Sequence, residues 1–386
     1  MSDAGAAPAS GHEARLVALE AGRGVAAFIV LLHHLLLGFA PAVKAMLAGS
    51  LLGWTQNGAG AVIFFFALSG FVLTSRTFAG RSAGHVVADA IKRWPRLWLA
   101  PAVSMLAGAL VLLWHLNANA DAAAVSGSQW LMSFGNAHLP HGFQPGLVDA
   151  LGQSVTLWFG ADANYNSSLW TMQWELLGSF AVFALAGLLA TRSDKTAAAT
   201  FALAAVAATL FEPYLVPFVL GCGLACLLSR SGWRPTRPMA IALLVAGLLL
   251  LSYEGAANLF SPLLALPQSG RWLAGLLLQS VGAVAVIAAL RSDLERGLSG
   301  RFARWLGQLS FPVYLVQVVA ICTLGSATFV WAAGAPPAVR FACTAAATLA
   351  LTVVLALPFA LLDAWWRRRV STFVRRAVQR PVKARA

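Results

Sequence analysis

Long apolar stretches separated by short polar or basic segments recur from about residue 24 to residue 362. A spanning helix needs roughly 20 mostly apolar residues. Ten stretches fit: 24–40, 58–75, 96–115, 168–190, 197–212, 214–229, 239–253, 272–290, 305–333 and 339–362. The expected fold is all-α, a polytopic membrane protein of about ten transmembrane helices. The short stretches 197–212 and 214–229 are separated only by Glu212-Pro213, and the alternative there is one kinked or re-entrant unit. No polar stretch is large enough to form a domain of its own. Three segments are expected: a cytoplasmic N-terminal tail over 1–22, a transmembrane domain over 23–364, and a basic cytoplasmic tail over 365–386. Residues 1–22 lack an apolar h-region and read as a tail rather than a cleaved signal peptide.

Composition agrees, with 59% hydrophobic and only 11% charged residues, against about 25% charged in an ordinary globular domain. Lys and Arg collect in cytoplasmic loops. With both termini inside, all but three of the 27 basic residues fall on the inner side, the exceptions being Lys44, Arg271 and Arg340. The net charge of +13 thus reflects topology and attraction to anionic inner-leaflet lipids, and no nucleic-acid partner is expected. The four cysteines lie in apolar stretches, so neither a disulfide framework nor a thiolate metal site is expected.

Ionisable groups near mid-bilayer cost on the order of 2.5 to 3.5 kcal/mol on insertion scales and are functional candidates by default. His34 and Glu175 stand out. Arg23 and His34 are eleven residues apart, so they share a helix face about 16 Å apart along the axis. His33 points about 100° away from His34. Counting inward from Ser168 places Glu175 about 11 Å below the outer boundary, close to the level of His34 and of Gln317. On the second stretch Ser69 and Arg76 share a face. Arg93 and Arg96 flank Pro95, which suits the first turn of the third helix. Arg23, Arg76, Arg93 and Arg96 are expected to ring one cytoplasmic mouth, where guanidinium forks suit phosphate recognition.

The segments "LEAGRGVAAFIVLLHH", "FFFALSGFVLTSR", "KRWPRLWLAP", "SLWTMQWELL" and "LGQLSFPVYLVQ" resemble, in order and spacing, the membrane acyltransferase 3 family of integral membrane acyl-CoA-dependent O-acyltransferases, over about residues 16–362. The resemblance implies transfer of an acyl group, commonly acetyl, from cytoplasmic acyl-CoA to a hydroxyl of a sugar, polysaccharide, lipid-linked glycan or antibiotic. It implies His34 as the histidine of an Arg-x10-His motif, Arg23, Arg76, Arg93 and Arg96 as ligands of the CoA phosphates, and Glu175 as the glutamate of a Trp-x4-Glu motif beginning at Trp170. The chain departs from the family in carrying Glu20 where Asp is frequent and Gln317 where His is frequent.

The expected mechanism has His34 as general base toward the acceptor hydroxyl, with Glu175 supporting the imidazolium as a triad carboxylate does. Ser69, Trp170 and Gln317 are supporting candidates. No metal cofactor is expected. A carbohydrate or glycolipid acceptor and membrane lipids are the expected partners, and a bacterial cytoplasmic (inner) membrane the expected location. The rival reading is a proton-coupled secondary transporter, which intramembrane Glu and His also suit, although no internal repeat is visible. His138 and His141 have a possible metal spacing without further obvious ligands. Asn166-Ser167-Ser168 is a glycosylation sequon, and the 116–167 connection reads as an acceptor-side vestibule or a cap.

Overall fold

The computed structural model describes residues 11–80, 83–136, 144–160, 163–254, 260–292 and 300–378. The His138/His141 pair and the ends of both tails lie outside them. The chain runs through α1 (Gly11–Phe39), α2 (Pro41–Ala48), α3 (Gly58–Phe78), α4 (Ala83–Leu113), α5 (Asn119–Ser126), α6 (Leu147–Thr156) and α7 (Met172–Leu189). It continues through α8 (Asp194–Phe211), α9 (Val216–Ser231), α10 (Arg237–Leu251), α11 (Gln268–Leu290), α12 (Arg301–Ala320), α13 (Ser326–Trp331) and α14 (Pro337–Val378). Among the described residues nine segments are long and apolar enough to cross a membrane, and the fold is that of an all-α polytopic membrane protein.

All ten expected stretches are helical. The one that is not among those nine, α10, has only 15 residues. It nevertheless packs antiparallel along α11, with Gly247 facing Gly282 and Val286, and Leu251 facing Gly282. The doubtful pair is two helices, α8 and α9, separated by a 3-10 turn at Pro213–Leu215. The Ser193 side chain caps α8, and Pro217 sits in the first turn of α9, where its missing N–H costs nothing. The expected 305–333 span comprises α12, a π-helical turn at Ile321–Gly325, and α13.

Several helix ends lie away from the expected positions. α4 begins at Ala83, so Pro95 lies inside it together with Pro101 rather than in its first turn. Proline removes the bond to the carbonyl four residues earlier but does not stop a helix held by its neighbours. Here Trp366 of α14 packs alongside, its Nε1 donating to the Pro95 carbonyl at 2.6 Å. α14 likewise runs unbroken to Val378 through the segment read as a basic tail, and α1 starts at Gly11 inside the expected N-terminal tail.

Small residues let the spans approach closely. A Cβ on Gly221 of α9 would sit 2.0 Å from the Ala67 carbonyl oxygen of α3, and one on Gly70 would sit 2.2 Å from that of Phe218. Such backbone proximity is how membrane helices associate without a hydrophobic driving force between them. The described parts of the 116–167 connection, which include α5 and α6, form a cap. Ser128 Oγ donates to the Leu37 carbonyl at 2.8 Å and the Ala118 N–H to the Cys322 carbonyl at 2.9 Å, fastening the cap to α1 and to the π turn.

Candidate active site

A cavity of about 290 Å³ enters the bundle from the end at which α1 begins and α14 finishes. Glu20, Arg23, Arg96, Asp363 and Arg367 line its mouth, and Ser69, Arg93, Thr171, Glu175, Ser310 and Tyr314 line it further in. Three of the guanidiniums are pre-oriented by carboxylates. Arg23 is 3.2 Å from Glu20, Arg367 Nε is 2.9 Å from Asp363, and Arg93 is bonded to Glu175. Among the described residues Arg96 has no carboxylate within ion-pair distance, so its donors are uncommitted. The lining therefore carries one excess positive charge, and each paired arginine retains further N–H groups for a ligand.

Four arginines, Arg23, Arg76, Arg93 and Arg96, are expected at this mouth from the sequence. The structure brings Arg23, Arg93 and Arg96 together, whereas Arg76 is exposed and does not line the cavity. Arg367 takes a place there instead. It lies in the expected basic cytoplasmic tail, and only the unbroken course of α14 carries it to the cavity. The i, i+4 pair Asp363–Arg367 was the available signal, since it places a carboxylate and a guanidinium on one helix face beside the membrane.

The level of Glu175 is the larger correction. The expected depth of about 11 Å holds only if Ser168 lies at the outer boundary. The chain instead dives into the bundle before α7 starts, and Asn166, Ser168 and Leu169 are all buried. Asn166 Nδ2 donates to the Leu315 carbonyl at 2.6 Å and to Ser104 Oγ at 2.7 Å, while the Tyr314 hydroxyl bonds the Ser168 carbonyl and lies 2.7 Å from Thr171 Oγ1. Seven residues further, Glu175 is roughly 10 Å deeper still, level with Arg93 and the cavity rather than with His34. Its Oε1 accepts from Ser69 Oγ at 2.7 Å and from Arg93, and Arg93 Nε donates to Ser179 Oγ at 2.8 Å. Glu175 is thereby committed to Ser69 and to Arg93. Asn166, buried and bonded, cannot act as a glycosylation acceptor.

His34 lies on the outward side of this cavity and does not line it. Its ring stacks on Trp130 of the cap at 4.6 Å and 13°, meets His33 edge to face at 5.3 Å, and brings Nδ1 to 3.5 Å from Gln317 Oε1. A carbonyl oxygen only accepts, so this contact requires Nδ1–H and leaves Nε2 as the basic nitrogen. Gln317 is fully buried and stands three residues, about 4.5 Å of helix rise, beyond Tyr314 at the inner end of the cavity. The rings of Phe65 and Tyr314, 6.2 Å apart, separate the two regions. His33 is held elsewhere, its Nδ1 2.9 Å from the Gln56 carbonyl and 4.0 Å from Glu254. Trp170 is turned away from the arginine cavity, edge to face with Tyr214 at 5.5 Å. Among the described residues no cluster of three or more His, Cys, Asp or Glu could hold a metal ion.

No curated protein and no solved structure matches the chain. A family model described as an acyltransferase domain matches residues 16–357, which takes in Arg23, Arg93, Arg96, Glu175, His34 and Gln317 but stops short of the cavity residues Asp363 and Arg367. With a match over nearly the whole chain and a bundle of membrane-crossing helices around that cavity, the protein belongs to the acyltransferase 3 family and is a membrane acyltransferase.

Proposed function

We propose that the protein transfers an acyl group, acetyl in the simplest case, from acyl-CoA on the cytoplasmic side to a hydroxyl of a sugar, polysaccharide or lipid-linked glycan, and that it works in a bacterial cytoplasmic membrane. The observation that carries this reading is the cavity that begins among Arg23, Arg96 and Arg367 and ends at Tyr314, one helical turn from the Gln317–His34 pair. Its mouth suits the phosphates of CoA. Its 290 Å³ lies at the lower end of small-ligand pockets, roughly 300–1,000 Å³, and suits a thioester arm rather than a nucleotide.

In this mechanism the acceptor oxygen bonds to the thioester carbonyl carbon and gives its proton to Nε2 of His34. The carbon–sulfur bond then breaks, and the leaving CoA thiolate takes the proton back. Gln317 holds Nδ1–H and so fixes the tautomer. To reach the imidazole the thioester passes the rings of Phe65 and Tyr314. Glu175 acts as a positioning residue for Arg93 rather than as the carboxylate of a triad. The transfer is a direct one, since no nucleophilic Ser or Cys stands beside His34 among its contacts.

The test uses purified protein in nanodiscs with labelled acetyl-CoA. Saturable binding, together with His34→Ala protein that binds acetyl-CoA as the wild type does but transfers nothing, is the expected result. Full transfer by His34→Ala would sink the mechanism, and absence of acyl-CoA binding by the wild type would sink the choice of donor.

A further inference from the structure

A second cavity, of about 560 Å³, opens at the opposite end of the bundle, where α1 and α10 finish and α3 and α11 begin. Val62 lines this cavity and the arginine cavity alike, and Trp170 of the second cavity directly precedes Thr171 of the first. Two of the three basic residues that break the charge asymmetry of the chain, Lys44 and Arg271, line this cavity. The third, Arg340, has a structural role, with Nε 2.7 Å from the Phe329 carbonyl and its guanidinium 3.5 Å over the Phe329 ring. Cations placed against the positive-inside rule need another reason for being there.

Lys44 is neutralised by Glu254, 3.1 Å away, and Gln56 Nε2 donates to the same carboxylate at 3.0 Å. Arg271 has no carboxylate partner among the described residues, so the cavity carries one uncompensated positive charge. One wall is aromatic. Tyr214 meets Trp272 at 5.7 Å and Trp170 at 5.5 Å, both edge to face, and Trp272 and Trp170 remain 48% and 42% exposed. Flat, accessible aromatic faces beside a free guanidinium and a fixed Lys–Glu pair match a ring with apolar C–H faces, hydroxyl edges and a negative group.

We propose that this cavity is the acceptor subsite and that the acceptor is an anionic saccharide. Trp272, Trp170 and Tyr214 contact the ring face, Arg271 meets the carboxylate or phosphate, and Lys44 with Glu254 binds hydroxyls. The proposal rests on the acyl-transfer reading above and adds where the acceptor sits and what charge it bears. Donor and acceptor thus enter from opposite ends, and the acceptor side leads toward the imidazole through Glu254, which lies 4.0 Å from His33, whose ring meets that of His34.

Saturation-transfer-difference NMR on the full chain in nanodiscs tests it with three probes, methyl β-D-glucuronide, α-D-glucose 1-phosphate and the uncharged methyl β-D-glucoside. The expected result is a stronger signal for one or both anionic probes than for the glucoside, lost about tenfold in Arg271→Gln, largely kept in Arg271→Lys, and lost in Trp272→Ala. Acetyl-CoA binding in all three variants stays at the wild-type level, which also shows that they fold. Equal signals from the three probes, or wild-type signals in Arg271→Gln and Trp272→Ala, overturn the subsite. A wild type that binds the anionic probes but not acetyl-CoA contradicts the donor reading and leaves the cavity's ligand class standing, so the two failures are separable.

Discussion

Removing the Glu175 carboxylate separates the arrangement seen here from the triad expected from sequence. In Glu175→Ala, Arg93 keeps Ser179 Oγ as an acceptor but loses its counter-charge, and the Ser69 hydroxyl loses its acceptor. Arg93 and Glu175 side chains are only 11% and 13% exposed. Breaking a buried pair from one side typically costs about 3 to 5 kcal/mol, because an unpaired charge is left behind. The adjoining cavity admits water, which places the expected loss near the lower bound, about 3 kcal/mol. Glu175→Gln keeps an acceptor for Ser69 and Arg93 and is expected to lose about half as much, in line with hydrogen bonds to charged groups contributing about 1.5 to 3 kcal/mol. Arg93→Met combined with Glu175→Leu removes both charges, and this pair should regain most of the stability while binding acyl-CoA more weakly. Thermal unfolding in detergent, read by fluorescence with and without acetyl-CoA, measures all four proteins. If Glu175→Ala unfolds at the wild-type temperature and loses only turnover, the carboxylate serves the imidazole and the assignment to Arg93 is wrong.

Other outcomes follow from the same geometry. Arg96→Ala should weaken acyl-CoA binding about tenfold, near the low end expected for a charge-assisted hydrogen bond, and Arg367→Ala somewhat less because Asp363 already engages it; Arg76→Ala should stay within about twofold, and equal losses at all three in equilibrium binding would remove the distinction between cavity and surface arginines. Gln317→Leu leaves Nδ1–H of His34 without its acceptor, a neutral hydrogen bond of about 0.5 to 1.5 kcal/mol, so kcat should fall roughly two- to tenfold with acyl-CoA affinity unchanged and the acid limb of the pH profile, which the general base sets, displaced. Gly221→Ala forces a methyl group onto the Ala67 carbonyl and should lower the yield of folded protein by parting α3 from α9, since overpacking typically costs about 1 to 3 kcal/mol; a normal melting temperature for this variant would contradict the close approach.

The sequence by itself determined the fold class, the ten helical stretches and the identity of the polar residues inside them. Each of these depends on local quantities: the length of an apolar run against the thickness of the bilayer, and the cost of an ionisable group within it. The 3.6-residue period likewise made Arg23 and His34 share a face, and both contact the interior as that spacing requires. Helix ends and depth were not local. Pro95 reads as a start, yet α4 passes through it because Trp366 and the packed neighbours hold the turn. Ser168 reads as a boundary, yet it is buried because Asn166 and Tyr314 satisfy the backbone of a segment that would otherwise be unable to enter the bilayer. That one descent moved Glu175 about a helical turn or two away from the histidine and onto Arg93. Only the tertiary structure decided that Arg367 displaces Arg76 from the cavity mouth, and that Lys44 and Arg271, mere exceptions in a count of charges, stand together 227 positions apart in the chain on the walls of a second cavity. Lateral position around a bundle is set by how all the helices pack at once, and a single helix's sequence carries its own face and length but not which neighbour that face will meet.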